Sequence, residues 1–184
     1  MISVEIGEFK AELFDEIYSS DSADNINKFD FEYLDIDGSY AEQVGIKLYK
    51  DDAIFKSAII SAFGGGTTVH KTSFVTEADR IIICCADTVF CLSIPDLSLL
   101  WKTKADTATC FEIFKLPTDY IVHGELDITR LGHDGRILWQ QSGGDIFTTL
   151  HSTNDDFIIT DDYILATDWE NRKYKFDFDG NIIS

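Results

Sequence analysis

The sequence predicts an all-β chain of four consecutive antiparallel units, the first completed by strands from the N-terminal segment. Three observations carry this. Short runs rich in β-branched and aromatic residues, at 81–83, 89–92, 157–159 and 163–165, are bounded by polar turns. Asp134-Gly135 and Asp179-Gly180 read as hairpin turns, because glycine accepts the positive φ such turns require. Lys56, Trp101, Trp139 and Ser184 follow one another at spacings of 45, 38 and 45 residues, and a period in that range marks stacked units that bury their apolar faces on one another.

The phrase around each of these four positions is similar. An aspartate stands five residues before it (Asp51, Asp96, Asp134, Asp179) and an acid fourteen before it (Glu42, Asp87, Glu125, Glu170). The two preceding residues are apolar each time: Ile54-Phe55, Leu99-Leu100, Ile137-Leu138 and Ile182-Ile183. The units therefore end near residues 56, 101, 139 and 184 of a single domain spanning 1–184. Trp101 and Trp139 are expected to dock between adjacent units in equivalent places, whereas Trp169 falls outside the repeat.

In chain order, Ile2, Val4 and Ile6 alternate as in a half-buried strand. Residues 9–18 fit two readings: Phe9, Leu13 and Ile17 fall at helical spacing, while Phe9, Ala11 and Leu13 alternate as in a strand. Residues 19–28 form a polar loop. Residues 29–37 alternate again and end at Asp37-Gly38, and 45–50 with 53–62 make the first hairpin of the repeat. The glycine-rich stretch 63–70 is a loop between units; its spacing to Lys71-Thr72 does not match a phosphate-binding loop. Pro95 and Pro117 both fall between strand-like runs.

Residues 89–101, from Val89 through Pro95-Asp96 to Leu99-Leu100-Trp101, resemble the repeat of quinoprotein-type (PQQ-like) β-propellers: a strand, a turn, two apolar residues and a tryptophan. Residues 128–139 are similar with a plain Asp-Gly turn, and 173–183 without the tryptophan. The resemblance covers residues 79–184 and, more weakly, 38–57. It implies propeller-like packing, as a closed four-bladed ring or an open array. The chain has Leu97-Ser98 where the family prefers Thr-Gly, and fewer units than the family's usual complement. No residue matches the family's quinone-binding positions, so the resemblance implies a fold and no cofactor.

Composition bounds the rest. The chain has 184 residues, 45% of them hydrophobic, with 33 acids against 15 Lys and Arg and a formal charge of −18. Residues 1–45 hold 12 acids against 2 bases, 46–141 hold 12 against 10, and 142–184 hold 9 against 3. Such a balance disfavours nucleic-acid phosphates and anionic membranes and favours basic partners or divalent cations. No apolar run approaches the roughly 20 residues of a membrane span. The first residues lack a basic segment followed by an apolar one, so a cytoplasmic protein is expected. Cys84, Cys85, Cys91 and Cys110 show no metal-binding spacing and read as small buried hydrophobes, Cys84 and Cys85 pointing to opposite faces of one strand.

Two function classes remain. The first is a non-catalytic protein-binding module that engages a basic partner through the acidic segment 1–37: Glu12, Asp15, Glu16, Asp30, Glu32, Tyr33, Asp35 and Asp37, with Phe29, Phe31 and Tyr40 as further aromatic anchors. The alternative is a metal-dependent or redox enzyme built on His123 and Glu125 with Asp127, since residues two apart on a strand share a face. Here Glu125 shares a turn position with Asp87, and His123 a strand position with Cys85. Asp35–Ser39 and Asp177–Asn181 open like calcium loops but lack the acid at the twelfth position. Nucleophile-elbow, HExxH and GxGxxG motifs are missing, so no catalytic residue and no metal ligand is assigned.

Overall fold

A computed structural model describes residues 1–19, 22–35, 41–149 and 156–184, with the backbone alone at 41. The described residues form sixteen strands in four sheets, with no helix. The first sheet has the order β1 (Ile2–Ile6), β2 (Phe9–Asp15), β4 (Ala41–Lys50), β5 (Ala53–Phe63) and β3 (Phe31–Tyr33). The second runs β6 (Phe74–Thr76), β7 (Arg80–Cys85), β8 (Thr88–Ser93), β9 (Leu99–Lys104). The third runs β10 (Cys110–Lys115), β11 (Asp119–Gly124), β12 (Asp127–Gly132), β13 (Ile137–Ser142). The fourth holds β14 (Phe157–Ile159), β15 (Ile164–Thr167) and β16 (Lys173–Phe176), with Ile182 bridging back to Phe176. Among the described strands every pair is antiparallel except β3 with β5, which places Phe31 opposite Ala58.

Residues 9–15 are strand β2, so alternation prevails over helical spacing. Phe9, Ala11 and Leu13 are buried against the second sheet, while Ile17, which a helix would have put on the same face, is 94% exposed.

The sheets stack in chain order through three apolar cores. The first lies between the first and second sheets, the second between the second and third, and the last between the third and fourth. Strands β7 and β8 are buried on both sides. Ile81, Ile83, Cys85, Phe90 and Leu92 face the first sheet, and Ile82, Cys84, Val89 and Cys91 the third. Cys84 and Cys85 thus point to opposite faces. All four cysteines are free and buried.

The repeat has a structural counterpart. A bulge interrupts the last hairpin at the same place in three sheets, where Leu48, Cys91 and Arg130 pair with Lys56, Trp101 and Trp139. Each tryptophan packs on the following sheet. Trp101 lies against Gly135 and its indole N–H donates to the His133 carbonyl at 3.3 Å; Trp139 lies against Gly180 and donates to the Phe178 carbonyl at 2.8 Å. Glycine is required at Gly135, where φ is +81° and a Cβ would stand 2.5 Å from the indole.

One expected correspondence fails. The residues between Leu92 and Leu99 are one more than those between Leu131 and Ile137, so strands before these turns align at 39 residues, not 38. His123 therefore shares its place with Cys84, not Cys85, and Glu125 with Ala86, not Asp87. Glu42 lies within a strand, so the acids fourteen residues before the repeat position do not occupy one structural site.

Candidate functional site

The acids divide between the two ends of the stack. At the end carrying the β7–β8 and β11–β12 turns, carboxylates accept backbone N–H groups from their own turn or from the next sheet. Glu42 accepts from Thr67 at 2.9 Å and Ala86 at 2.6 Å, the latter in the β7–β8 turn. Asp106, 1% exposed, accepts from Ala108 and Thr109 and, across the interface, from Leu126 at 2.9 Å and Asp127 at 2.8 Å. The carboxylate sits so close that a Cβ at Gly124 would meet it at 2.2 Å. Buried Asp168 accepts from Glu170, Arg172 and the Tyr174 hydroxyl. These acids supply acceptors that turn N–H groups would otherwise lack.

The opposite end is different. Its turns carry Glu8 (β1–β2), Asp51 and Asp52 (β4–β5), Asp79 (β6–β7) and Asp96 (β8–β9), all exposed. Asp134 (β12–β13), Asp161 and Asp162 (β14–β15) and Asp179 after β16 continue the row, also exposed. The four repeated aspartates are all here. Antiparallel meanders bring alternate turns to one end, and the contacts of Trp101 with Gly135 and of Arg80 with the His133 carbonyl keep neighbouring sheets level. Among these turns and the adjoining β10–β11 turn the ion-paired cations are Lys50 with Glu8 at 3.0 Å, Arg80 with Asp79 at 3.2 Å, Lys115 with Glu77 at 3.0 Å and Arg136 with Asp134 at 3.2 Å. The result is an acidic rim.

The acidic segment proposed from sequence is largely occupied internally. Glu12 pairs with Lys10 at 2.9 Å, and the hydrogen bond from Lys10 holds its carboxyl below the ordinary range. Asp15 accepts from Val69, and Glu16 from Asn27. Asp30 accepts both the N–H and the hydroxyl of Ser57, tying the strand-β3 segment to β5. Glu32 takes the Tyr18 hydroxyl, and Asp35 pairs with Lys102 at 2.7 Å. Tyr33 pins the first sheet to the second, donating to the Leu97 carbonyl at 3.0 Å and accepting from Leu99. Phe29 packs against Phe14 and Tyr18, and Phe31 on Tyr33. Asp37 and Tyr40 lie outside the described residues, as does part of the 35–39 loop. Asp177 closes its own turn, accepting from Asp179 and Asn181, and those bonds from Asn181 hold its carboxyl below the ordinary range.

His123, Glu125 and Asp127 do not converge. His123 is buried, its Nδ1 2.9 Å from the Glu112 carboxylate and its Nε2 2.9 Å from the Phe147 carbonyl, with the ring stacked 4.3 Å from Phe157. Both ring nitrogens therefore face protein oxygens and neither is open to a ligand. Glu125 instead accepts from the Thr109 hydroxyl, and Asp127 from Ser142. Glu112, directly opposite His123 on β10, also takes the Thr72 hydroxyl at 2.6 Å. The His123 hydrogen bond holds the Glu112 carboxyl below the ordinary range. No group of three or more His, Cys, Asp or Glu placed to hold a metal ion occurs among the described residues.

A cleft of about 510 Å³ opens at the acidic rim between the third and fourth sheets. Leu116, Pro117, Ile159 and Phe178 form its walls, and Asp119 and Arg130 line it, joined by bonds of 2.6 and 3.1 Å through one carboxylate oxygen, Oδ2. A second cleft, of about 450 Å³, is lined by Thr107, Leu126, Asp127, Gln140 and the loop 142–145.

No family model and no curated protein matches this chain. Among solved structures it is similar to the computationally designed Ika8 protein, with a TM-score of 0.53 and 9% identity over 80% of this chain. It is also similar to the AfRom2 CNH domain, with a TM-score of 0.47 and 16% identity over 77% of this chain. The chain covers 46% of each of those chains, a little under half their length. At 9% identity the first likeness concerns the fold alone. No helix among the described residues is long and apolar enough to cross a membrane.

Proposed function

We propose that this chain is a non-catalytic protein-binding module and that the acidic rim is its binding face for a basic partner protein. The carrying observation is the segregation of the acids. At one end Glu42, Asp106 and Asp168 are taken up by backbone hydrogen bonds, while at the other nine acids stand exposed in the turns, three of them paired with a cation. A row of like charge steers an oppositely charged partner and rejects wrong ones, acting mainly on the rate of encounter. The sheets, stacked side by side through docked tryptophans, are read as blades of a propeller-like array similar to quinoprotein-type repeats. Such a scaffold presents its turns as one broad surface.

The test is the affinity for a defined lysine-rich peptide, measured by calorimetry at low and high salt. Replacing Asp51, Asp96, Asp134 and Asp179 by asparagine keeps the turn chemistry and removes four charges. Affinity at low salt should fall by about tenfold or more, with a flatter salt dependence, since exposed charges act over roughly a Debye length. Neutralising Glu12, Asp15, Glu16, Glu32 and Asp35 should do less. Equal binding by wild type and the four-asparagine variant would remove the proposal.

A further inference from the structure

The cleft between the third and fourth sheets has a counterpart one interface earlier, and the two are finished differently. Equivalent turns are closed by Glu77 N–H to Arg80, Leu116 N–H to Asp119 and Thr160 N–H to Tyr163, so Glu77 corresponds to Leu116, and Lys115 to Ile159. His133 corresponds to Phe178, because each offers its carbonyl to the preceding tryptophan. Between the second and third sheets these positions form a polar plug. Glu77 accepts from Lys115 at 3.0 Å, from the Tyr120 hydroxyl at 3.0 Å and lies 3.2 Å from His133. Between the third and fourth sheets the three places are Leu116, Ile159 and Phe178, and the interface is open.

The open interface contains an unmet hydrogen-bonding need. Asp119 is 6% exposed and all its side-chain bonds run through Oδ2; Oδ1 is shielded from bulk water and has no partner. A buried carboxylate oxygen without a donor is costly, and each such group in a folded chain calls for an explanation. Arg130 is already committed to Asp119 and the Phe178 carbonyl. Asp161 stands exposed among the lining residues, so the lining counts two carboxylates against one guanidinium. One cation would balance the site.

We infer that this cleft binds a primary ammonium on an aliphatic stem: the stem lies along Leu116, Pro117, Ile159 and Phe178, and an N–H completes Asp119 Oδ1. The source favoured by the rim is a lysine side chain of the basic partner. The inference rests on the protein-binding reading for that source, but not for the ammonium chemistry.

The probe is n-butylammonium, titrated into the full chain and followed by amide chemical shifts, with tetramethylammonium, which has no N–H, as the control. Shifts should concentrate at residues 116, 118, 119, 159–161 and 178 with butylammonium and be at least several-fold smaller with the control. The double variant Leu116→Glu/Ile159→Lys rebuilds the plug of the preceding interface without changing net charge, and should abolish these shifts. Equal responses to both cations, or shifts unchanged in the plugged variant, would overturn the inference; should that variant fail to fold, the comparison of the two cations on wild type still decides. The lysine-rich peptide separates the two readings. Peptide binding that is weakened by the four asparagines but unaffected by the plug overturns the lysine source and leaves the rim standing. Peptide binding unaffected by the asparagines, with butylammonium still held, overturns the rim and supports the cleft as a site for a free amine.

Discussion

The Trp101 ring lies on the backbone of Gly135, 34 residues further along the chain and in the next sheet, and Trp139 repeats this on Gly180. Each tryptophan is half-buried, so its packing is shared between an interface and solvent. Trp101→Ala and Trp139→Ala should each destabilise the fold by roughly 2–4 kcal/mol, somewhat under the full core range. Gly135→Ala should cost at least about 1 kcal/mol through its positive φ and the lost space for the indole. Chemical denaturation of the three variants checks this; unchanged midpoints would mean the rings contribute little.

The two classes of acid should separate in the same assay. Asp106→Ala leaves four turn N–H groups without their acceptor and should cost roughly 3 kcal/mol or more. Asp96→Ala, on the rim, should stay within about 0.5 kcal/mol of wild type, as exposed substitutions do.

Strand chemistry and turn aspartates were legible in the sequence because both are local: alternation, β-branching and Asp-Gly pairs act within a few residues. The same locality hid the chemistry around His123. Its partner Glu112 is set by the register between β10 and β11, which no spacing records. The extra residue in the turn before Leu99 shifted the alignment by one, and on a strand one residue reverses the face. Net charge by segment pointed to residues 1–37, but charge counts do not distinguish an acid such as Asp30, spent on Ser57, from Asp51 in a bare turn.

Acid should weaken the His123–Glu112 contact. The Glu112 carboxyl is held below its ordinary range in the folded chain, so this stabilisation is present at neutral pH and is lost as pH falls through the folded value. The difference in stability between wild type and Glu112→Gln, about 1 kcal/mol at neutral pH, should shrink towards zero in acid. Melting temperatures of both proteins against pH give the answer.

The cysteines should resist labelling. Burial raises the thiols of Cys84, Cys85 and Cys110 well above their ordinary range and pushes Cys91 up to about 12, leaving little thiolate at neutral pH. A thiol reagent should react slowly with the folded chain and count four thiols after denaturation. Fast reaction in native buffer would point to opening of the second sheet, which carries three of the four.

Among the described residues each apolar core joins only a sheet and its neighbour, and none of the three joins the first sheet directly to the fourth. Cooperativity is then passed along the stack step by step, as in a one-dimensional chain of coupled units. The middle two sheets are held from both sides. The fourth, with three short strands, relies on a single core among the described residues. Fraying should begin there and travel inwards, and amide hydrogen exchange should slow in a gradient from β14–β16 towards β7 and β8, a kinetic polarity written into the order of the sheets.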